Sequence, residues 1–430
     1  MDPPPRSTVL VGLGVLLFIG SMAVSAALAP AIGVTNGHDN RTLVSIQGGG
    51  PGWHHYGKVE LLDGSTEVWN ATSADSYFDV TMQPNGNVLA GFMNDSSRQC
   101  GPYPAPCART GFQIIDPTPT PHVVYEYSFP VRNSKNSEVH AVQELPSGEF
   151  LLTDMDAERI FTVNRQGQTT WQWNASSFYH PPPDPTRRDW LHINDVDVIG
   201  PGRYLVSVRN ANQLLVIQRG KGVVEVINKD RSNANDASCK QPGQLVPNAS
   251  GDVRCGNPKI LNHQHNPQWL DSGAVLVADS DNNRVVELHR APNGTWHVAW
   301  TVTTVGGVPL DWPRDADRLA NGHTLITDTL NRRIVEIDAS GHVVWSYQTA
   351  LIPYEADRLP AGETVGAPRA DANTSHPTTP TGSVPVLSDV LVLLRAIYPG
   401  IPFWFGEVQL VLSFVAVGLV VAGVVDRYRT

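Results

Sequence analysis

The sequence contains few methionines and cysteines, and it has no concentration of basic residues. Of 430 residues, 5 are methionine and 4 are cysteine, whereas glycine and proline number 37 and 34. This composition suits many short strands joined by turns better than long helices. A formal net charge of −10 without a basic patch argues against a nucleic-acid partner. The cysteines are not spaced as Cys-x-x-Cys, so a structural zinc site is a poor interpretation.

Two long apolar segments lie near the two ends of the sequence. They cover residues 8–32 and 403–425, and each is long enough to cross a bilayer as a helix. The Ala-rich stretch 26–29 could alternatively be a signal-peptidase site, which would make the first segment a cleaved leader. Residues 363–383 are rich in Ala, Pro and Thr and predict a linker, and residues 384–399 predict an interfacial helix.

Basic residues at the two ends predict how these segments are oriented. Arg6 precedes the first, and Arg427 and Arg429 follow the second, so the positive-inside rule predicts both termini in the cytoplasm. The chain between them is then expected on the extracellular side of the cell membrane. Sequons of the type Asn-x-Ser/Thr, typical of secreted glycoproteins, all lie in this region, at Asn40, Asn70, Asn94, Asn174, Asn248, Asn293 and Asn373.

The four cysteines form two local pairs by position. Cys100 lies close to Cys107, and Cys239 lies close to Cys255, each pair in loop-like sequence. Local pairing predicts two disulfides, which are typical of an oxidising compartment. Four cysteines allow three connectivities, and the other two stay open at this point.

A repeated unit organises the sequence between the apolar segments. In each copy a short strand precedes a turn that ends in glycine, and an apolar strand follows the turn. The copies open at VTMQPNGNVL (80–89), VQELPSGEFL (142–151), VDVIGPG (196–202), NHQHNPQWLD (262–271) and ADRLANGHTL (316–325). Units of roughly 40 residues, each with four strands, predict a β-propeller.

The last copy predicts how the propeller closes. Residues 354–360 match an opening strand, but no second strand follows them. The strands missing there correspond to those left over at 41–69, so joining the two ends completes a sixth blade and removes exposed sheet edges. The sequence therefore predicts an all-β fold, a six-bladed β-propeller over residues 41–362, flanked by transmembrane helices.

The innermost strand of each blade lines the central channel, so equivalent residues of the six strands converge. Eight positions before each turn glycine stand Phe78, His140, Asn194, His265, Arg314 and Tyr354. Two positions further back, on the same strand face, stand Ser76, Glu138, His192, His263, Trp312 and Ile352. One histidine before a strand is usually structural, but several at equivalent positions predict a site at one mouth of the channel.

Three units share an Asp-x-x-x-x-Arg pattern after the apolar strand, which the third unit lacks. The pairs are Asp154 with Arg159, Asp279 with Arg284, and Asp328 with Arg333. Because the pattern repeats, it predicts structural contacts within blades. The third unit has SVRN at 207–210 instead, and departures from a repeated pattern tend to mark functional sites. A guanidinium at Arg209 near histidines is suited to binding an oxyanion.

These residues resemble the aryl-sulfate-dependent arylsulfotransferases, a family of six-bladed propellers. WLHINDVD (190–197) followed by LVSVR (205–209) looks like the His and Arg motif of that family. QH at 264–265 looks like the motif with its nucleophilic histidine, and VHAV at 139–142 like its remaining active-site histidine. The similarity covers roughly 58–359 and is greatest for archaeal membrane-anchored members.

The resemblance implies sulfuryl transfer from an aryl sulfate to a phenol through a sulfohistidine. His265 would be the nucleophile, Arg209 would bind the sulfuryl oxygens, and His192 or His140 would move the proton. His263, two positions away, leaves the choice of nucleophile open. Substrate contacts are expected from His263, Asn194, Arg314 and Tyr354. No cofactor or metal is expected, and the absence of a P-loop argues against a nucleotide sulfate donor.

Two other functions stay open at this stage. A propeller can be a non-catalytic extracellular module that binds a protein or glycan, with the histidines as channel polar groups. It can also be a metal-dependent hydrolase or lactonase, which would require carboxylates in the channel. The nearest candidates for such ligands are Asp79, Asp195, Asp315 and Glu355. The oligomeric state and the natural donor and acceptor are not predicted.

Overall fold

A computed structural model describes most of the chain. The described residues are 4–30, 32, 41–50, 53–184, 187–230, 236–240, 245, 247, 249, 251, 253–370, 386–398 and 400–429. The chain divides into two units, one of residues 32–381 and one of residues 1–31 with 382–430. Each unit is described by itself below.

The larger unit is built from short antiparallel strands. In chain order they are β1 (Arg41–Gly48), β2 (Lys58–Asp63), β3 (Thr66–Ala71), β4 (Ser76–Met82), β5 (Val88–Ser97), β6 (Cys107–Asp116), β7 (His122–Val131), β8 (Val142–Glu144), β9 (Phe150–Asp154), β10 (Arg159–Val163), β11 (Thr169–Asn174), β12 (Ile193–Gly200), β13 (Arg203–Val208), β14 (Gln213–Gln218), β15 (Gly222–Ile227), β16 (His265–Asp271), β17 (Ala274–Asp279), β18 (Arg284–Arg290), β19 (Trp296–Val302), β20 (Thr304–Val305), β21 (Val308–Pro309), β22 (Asp315–Arg318), β23 (Thr324–Asp328), β24 (Arg333–Ile337), β25 (Val343–Gln348) and β26 (Ile352–Arg358). The helix α1 (Arg6–Leu28) precedes them in the chain and belongs to the smaller unit, and the short helix α2 (Ala237–Lys240) lies between β15 and β16.

These strands form the predicted six-bladed propeller. Five blades are consecutive four-stranded sheets, β4–β7, β8–β11, β12–β15, β16–β19 and β22–β25, and β20 with β21 forms a separate hairpin. The sixth sheet has the order β26-β1-β2-β3, with Thr42 opposite Arg358 and Val44 opposite Ala356. Pairing of the first strand with the last closes the ring, as the incomplete final copy predicted.

The hydrophobic core lies between neighbouring blades. In β9 every residue is buried, whereas the outermost strand of the same blade, β11, alternates between exposed and less exposed residues. Leu151 and Ile160 of the second blade pack with Val206 and Leu215 of the third. Such inner strands are covered on both faces, which explains their nearly continuous runs of Val, Leu and Ile.

The repeated Asp and Arg residues make the predicted contacts within blades. The Nε atom of Arg159 lies 2.8 Å from the Asp154 carboxylate, and the equivalent distances are 2.6 Å for Arg284 and 2.7 Å for Arg333. In each case the two residues face each other across the second and third strands. In the third blade this position is occupied by Val208 and Gln213, so no ion pair forms there.

Both predicted disulfides are present, and parts of the surface predictions can be located. Cys100 bonds to Cys107 and Cys239 to Cys255, with Cα–Cα distances of 5.6 and 5.9 Å. Four sequon asparagines are at least partly exposed, namely Asn70, Asn94, Asn174 and Asn293. The other three, Asn40, Asn248 and Asn373, lie outside the described residues.

The first part of the predicted linker packs on the propeller. The amide of Gly366 donates to Trp269 O at 3.2 Å, and Ala367 is buried in the core between the fourth and fifth blades. Arg369 forms an ion pair with Asp271. Residues 363–370 are therefore attached to the propeller, because their amides and side chains find partners there. The remainder of the predicted linker, 371–383, lies outside the described residues.

The smaller unit contains two helices that are long and apolar enough to cross a membrane. They are α1 and the last helix, Glu407–Arg429, each of 23 residues. The last helix is α4 (Glu407–Arg429), and a shorter helix, α3 (Leu387–Ile397), precedes it within the segment 384–399 that the sequence predicted to be helical. The helix α4 begins a few residues after the start of the predicted span 403–425. Gln409 of α4 donates to Ser25 of α1 at 2.9 Å.

Candidate active site

One mouth of the channel holds a group of packed aromatic and imidazole rings. His140 lies at its centre, with ring centroids 4.9 Å from Phe78, 5.0 Å from Tyr354, 5.7 Å from His192 and 6.4 Å from His265. All five side chains are more than nine-tenths buried. The structure thus brings together His140, His192 and His265, which the positions before the turn glycines had placed at one mouth of the channel.

Three residues at the start of inner strands share an unusual backbone conformation. His192, His263 and Trp312 have φ angles of +55°, +49° and +52°. Non-glycine residues in this left-handed region need support from their surroundings. These three residues occupy equivalent positions in the sequence and also share one backbone conformation, and their side chains lie at the channel mouth.

Glu158 supports the backbone at His192. Its carboxylate accepts hydrogen bonds from the amides of Leu191 at 2.8 Å, His192 at 2.9 Å and Ile193 at 3.2 Å. Glu158 has no exposed surface and is itself left-handed, with φ +51°. Burial, together with Asp189, raises the pKa of Glu158 to about 8. The side chain that shapes one blade's histidine thus comes from a loop of the preceding blade.

Asparagines in the next two blades do the same for the other two residues. Asn212 accepts a hydrogen bond from the amide of His263 at 3.0 Å, and Asn283 accepts one from the amide of Trp312 at 2.8 Å. Both asparagines occupy the position of Glu158 in the loop between the second and third strands, and both are left-handed. Asparagine tolerates this conformation well, which explains its presence at two of the three positions.

Hydrogen bonds fix the tautomer of His265. Its Nδ1 lies 2.9 Å from the hydroxyl of Ser280, and that hydroxyl donates to Pro313 O at 2.7 Å. A hydroxyl carries one proton, so Ser280 must accept from Nδ1–H, which leaves the lone pair on Nε2. Burial, helped by the charges of Arg314 and Arg209, lowers the pKa of His265 well below its usual value. His265 is therefore a neutral imidazole with a basic Nε2 at neutral pH.

His140 is buried with both ring nitrogens unpaired. Neither Nδ1 nor Nε2 has a hydrogen-bond partner among the described residues. Burial lowers the pKa of His140 well below its usual value, so the ring is neutral and one nitrogen carries a proton. An unpaired buried polar group costs about 1–3 kcal/mol. His140 is thus suited to donate a hydrogen bond to a bound ligand.

His192 is paired with an acid, and Arg209 lies beside it. The Nδ1 of His192 is 2.8 Å from the Asp189 carboxylate. Burial alone would raise the pKa of Asp189, but His192 and Arg209 outweigh it and hold the pKa below its usual value. The backbone of Arg209 donates to His192 O at 3.3 Å, and its side chain is half-buried. An ionised Asp189 can stabilise His192 when it is protonated.

Arg314 and Tyr354 form a polar wall lined by aromatic rings. The Arg314 guanidinium lies 4.7 Å from the ring centroid of Trp312, 5.2 Å from that of Tyr354 and 5.4 Å from that of Trp53. It donates to Gln47, and its Nε has no partner among the described residues. Burial lowers the pKa of Arg314 to about 10, so it stays charged. The Tyr354 hydroxyl is also buried and unpaired in the described part of the chain.

The two other predicted substrate contacts are placed less favourably. His263 lies at the rim, with its Nδ1 2.6 Å from Asp281, and its Nε2 is buried without a partner in the described residues. Asn194 has no exposed surface, and its amide donates to Gln264 O at 2.9 Å. Asn194 therefore holds the backbone that precedes His265, rather than presenting its amide nitrogen to the channel.

Several residues of this mouth were missed in the sequence. His54 contacts both Ser76, at 2.8 Å, and Glu138, at 3.1 Å. Burial by itself would raise the pKa of Glu138, but the interaction with His54 outweighs it and lowers this pKa to about 2. Trp53, beside it, packs on Trp312 at 4.9 Å. Both lie in the connection from β1 to β2, which joins the second and third strands of the sixth blade. In the third blade, Arg209 lies in the corresponding connection, from β13 to β14. Comparing these loops across the blades would have found them.

The described residues contain no group of three or more His, Cys, Asp or Glu suited to hold a metal ion. The chemistry available at the histidine mouth is that of a neutral nucleophile, an acid–base pair and cationic hydrogen-bond donors.

Several solved structures of other proteins resemble this chain. A protein of unknown function from Bacteroides caccae shares 17% identity, with a TM-score of 0.48 over 75% of this chain and 99% of that one. The periplasmic gluconolactonase of Pseudomonas aeruginosa shares 14%, with a TM-score of 0.42 over 75% and 99%. Virginiamycin B lyase from Staphylococcus aureus shares 12%, with a TM-score of 0.36 over 63% and 69%.

Sequence comparison gives the more specific result. No curated protein matches the sequence significantly. A family model does match, over a segment that contains His140, His192, Arg209 and His265 together. Residues 125–296 match the family model of the arylsulfotransferases (ASST).

Proposed function

We propose that the propeller transfers a sulfuryl group from an aryl sulfate to a phenol through a sulfohistidine at Nε2 of His265. The hydrogen-bond chain from His265 through Ser280 to Pro313 O carries the proposal, because it leaves the Nε2 lone pair free. The family match supports a sulfotransferase activity. A neutral imidazole is a competent nucleophile near neutral pH.

In the first half-reaction Nε2 of His265 attacks the sulfur, and the bond between sulfur and the aryl oxygen breaks. The electron pair of that bond leaves on the phenolate oxygen, which takes a proton from His192. Asp189, 2.8 Å from Nδ1 of His192, stabilises the protonated form of His192 before transfer. In the second half-reaction the acceptor phenol returns a proton to His192 and attacks the sulfur, and the nitrogen–sulfur bond breaks.

Cationic and neutral donors stabilise the charge on the sulfuryl oxygens. Arg209 offers a guanidinium fork, and the unpaired ring of His140 offers one N–H at the centre of the mouth. The buried hydroxyl of Tyr354 and the unpaired Nε of Arg314 are further donors. Each would gain the hydrogen bond that it lacks, so the substrate binds where unpaired donors already converge.

Aromatic side chains provide the surface for the aryl ring. Phe78 and Tyr354 are 5.4 Å apart in an edge-on arrangement, and Trp53 with Trp312 forms a second pair. Aromatic rings prefer such edge-to-face and offset contacts. The walls of the mouth therefore favour a planar aromatic donor and acceptor over an aliphatic alcohol.

Steady-state kinetics test the proposal. We expect purified protein to turn over 4-nitrophenyl sulfate continuously only when a phenol acceptor is present, with parallel double-reciprocal lines; without an acceptor it should release no more than one 4-nitrophenol per protein. His265→Ala should lose at least about 10⁴-fold in kcat. His297→Ala, which alters an exposed histidine, is the matched control and should be unaffected. Intersecting lines, or full activity in His265→Ala, would contradict the sulfohistidine.

We also propose that the protein is anchored in the cell membrane with the propeller outside. Two helices capable of crossing a membrane and two disulfides support this arrangement. Both termini would then be cytoplasmic. An epitope tag after Thr430 should resist protease added to intact cells, while a tag in the loop before Thr66 should be removed. Removal of the C-terminal tag would contradict the orientation.

A further inference from the structure

A second cavity lies at the opposite end of the channel from His265. Its volume is about 440 Å³, and its walls come from five of the six innermost strands, at residues later in each strand than the histidine mouth. Carboxylates dominate its polar lining: Asp79, Glu144, Asp195, Asp197, Glu355, Asp357 and Glu363, of which Glu144 is paired with Arg165. The sequence offered Asp79, Asp195 and Glu355 as possible metal ligands, and they lie here rather than beside the histidines.

Two of these carboxylates, Asp195 and Asp197, are paired with each other rather than with a cation. They are 7% and 5% exposed and hydrogen-bond to each other, and the Oδ2 atom of each accepts no hydrogen bond from another group of the described residues. The other oxygen of Asp197 accepts from Gln143 at 2.7 Å. Among the described residues, no Lys, Arg or His lines the cavity. Buried carboxylates without a counterion are costly, so these groups must bind either protons or a cation.

The titration behaviour of the cavity agrees with this reasoning. Burial raises the pKa of Asp197 and of Asp357 to about 7, and Asp315 adds to the rise at Asp357. Burial and the neighbouring acids Asp197 and Asp79 raise the pKa of Asp195 well above its usual value. The carboxylates are therefore partly neutral at neutral pH, and a bound cation would favour their ionised forms.

The remaining walls of the cavity indicate what kind of cation fits. They include an apolar part, from Met82, Leu89, Leu145, Val198 and Leu359, beside the neutral polar side chains Thr81, Gln83, Gln143 and Asn266. A small metal ion makes no use of such walls, and no three acidic groups of the described residues are placed to share one. An aliphatic chain carrying ammonium groups matches both features, because methylenes pack on the apolar walls and each ammonium donates to carboxylates.

We propose that this cavity binds an aliphatic diamine or polyamine, with one ammonium group between Asp195 and Asp197. The alkyl chain lies along the apolar wall, and a second ammonium group reaches Glu355 or Asp357. This site is separate from the sulfuryl-transfer chemistry, and the proposal does not depend on that activity.

Calorimetric titration of the full-length protein in detergent tests the proposal. The probes are 1,6-diaminohexane and 1,6-hexanediol, which share a chain length but differ in charge, with calcium chloride as a third probe, in a phosphate-free buffer of low ionic strength because salt screens the interaction. We expect saturable binding of the diamine at pH 8, none of the diol, and weaker diamine binding at pH 5. Equal responses to both probes, or binding of calcium without binding of the diamine, would overturn the proposal.

Three variants locate the site. Asp195→Asn and Asp197→Asn keep the side-chain volume and should each weaken diamine binding by about tenfold. Asp63→Asn alters an exposed acid outside the cavity and should bind like the native protein. Both cavity variants should fold, since each removes a source of like-charge repulsion, and their melting temperatures without ligand report this directly. Unchanged affinity in both cavity variants would overturn the assignment.

Discussion

The two ends of the channel are built by the same six strands but carry opposite chemistry. Phe78, Arg314 and Tyr354 face the histidine mouth, and the residue after each is an acid, Asp79, Asp315 and Glu355. Burial shifts titration at both ends towards the neutral form, lowering the pKa of His140 and His265 and raising that of Asp79 and Glu355. We therefore propose that the histidine mouth binds an anion and that the acidic end binds a cation.

The difference teaches that unpaired buried groups are more informative than residue type alone. Among the described residues of the histidine mouth, the buried atoms without partners include possible donors in His140, Arg314 and Tyr354 and also two acceptors, the Oδ1 atoms of Asp189 and Asn194. At the acidic end the Oδ2 atoms of Asp195 and Asp197 accept no N–H donor. The two ends thus offer different hydrogen-bonding groups, and the four predictions below alter one end at a time.

Of these four predictions, the largest effect is expected at Arg209. Arg209→Lys keeps a positive charge but loses the guanidinium fork, so kcat/KM for 4-nitrophenyl sulfate should fall by about 10²–10³-fold. Folding should be unchanged, because the side chain is only half-buried and donates a hydrogen bond to the neighbouring Asn210 at 2.9 Å. Arg219→Lys, at an exposed turn, is the control. A loss of less than about twofold would remove Arg209 from the site.

The next effect is expected at Ser280. Ser280→Ala removes the acceptor that holds the proton on Nδ1 of His265, so kcat should fall by about 10²-fold as the wrong tautomer becomes populated. KM should change little, since Ser280 lies behind the imidazole rather than in the mouth. Ser340→Ala, which alters an exposed serine, controls for the loss of a hydroxyl. Native kcat in Ser280→Ala would show that the tautomer needs no such support.

Glu158 should affect the histidine mouth through the backbone. Glu158→Gln keeps the shape but weakens the acceptor for the amides of residues 191–193, costing about 1–3 kcal/mol of unfolding free energy. Because His192 depends on this support, kcat and its pH profile should change more than KM. Asn283→Ala removes the equivalent acceptor at Trp312 and should lower stability with a smaller effect on kcat. Equal kinetic profiles for both variants would indicate a merely structural role.

The smallest effect is a pH dependence of stability from the acidic end. The folded-state pKa of Asp197, Asp315 and Asp357 is raised to about 7, above the unfolded value of about 3.8. The folded protein therefore binds more protons than the unfolded one between about pH 4 and pH 7, and unfolding free energy falls as pH rises through this window. Melting temperatures followed by tryptophan fluorescence should be higher at pH 5 than at pH 8. The difference should shrink in Asp197→Asn, and a rise with pH in both proteins would contradict the cause.

Most of the fold could be predicted because it follows from a repeat. The turn glycines and the leftover strands at both ends determine the blade count and the closure, and both are local patterns. The linker was predicted to begin at residue 363, but 363–370 pack on the propeller through Gly366, Ala367 and Arg369. Composition resembling a flexible linker does not reveal such docking, because it depends on surfaces distant in sequence.

The site was predictable where equivalent positions converge and not where loops supply side chains. His140, His192 and His265 meet as the strand positions predicted, whereas Trp53, His54 and Asp189 come from connections of variable length. The acidic cavity was foreseen only as four scattered carboxylates. Recognising this cavity as a possible binding site requires knowing how deeply the carboxylates are buried and which groups they contact, and neither can be read from the sequence.

Mass spectrometry of the intact protein tests the central claim most directly. Protein mixed with 4-nitrophenyl sulfate without an acceptor, and measured rapidly at neutral pH, should gain one sulfuryl group that disappears when phenol is added. The adduct should form in His263→Ala and be absent in His265→Ala. A native protein that gains no adduct while releasing 4-nitrophenol, or an adduct that persists in His265→Ala, would contradict covalent transfer through His265.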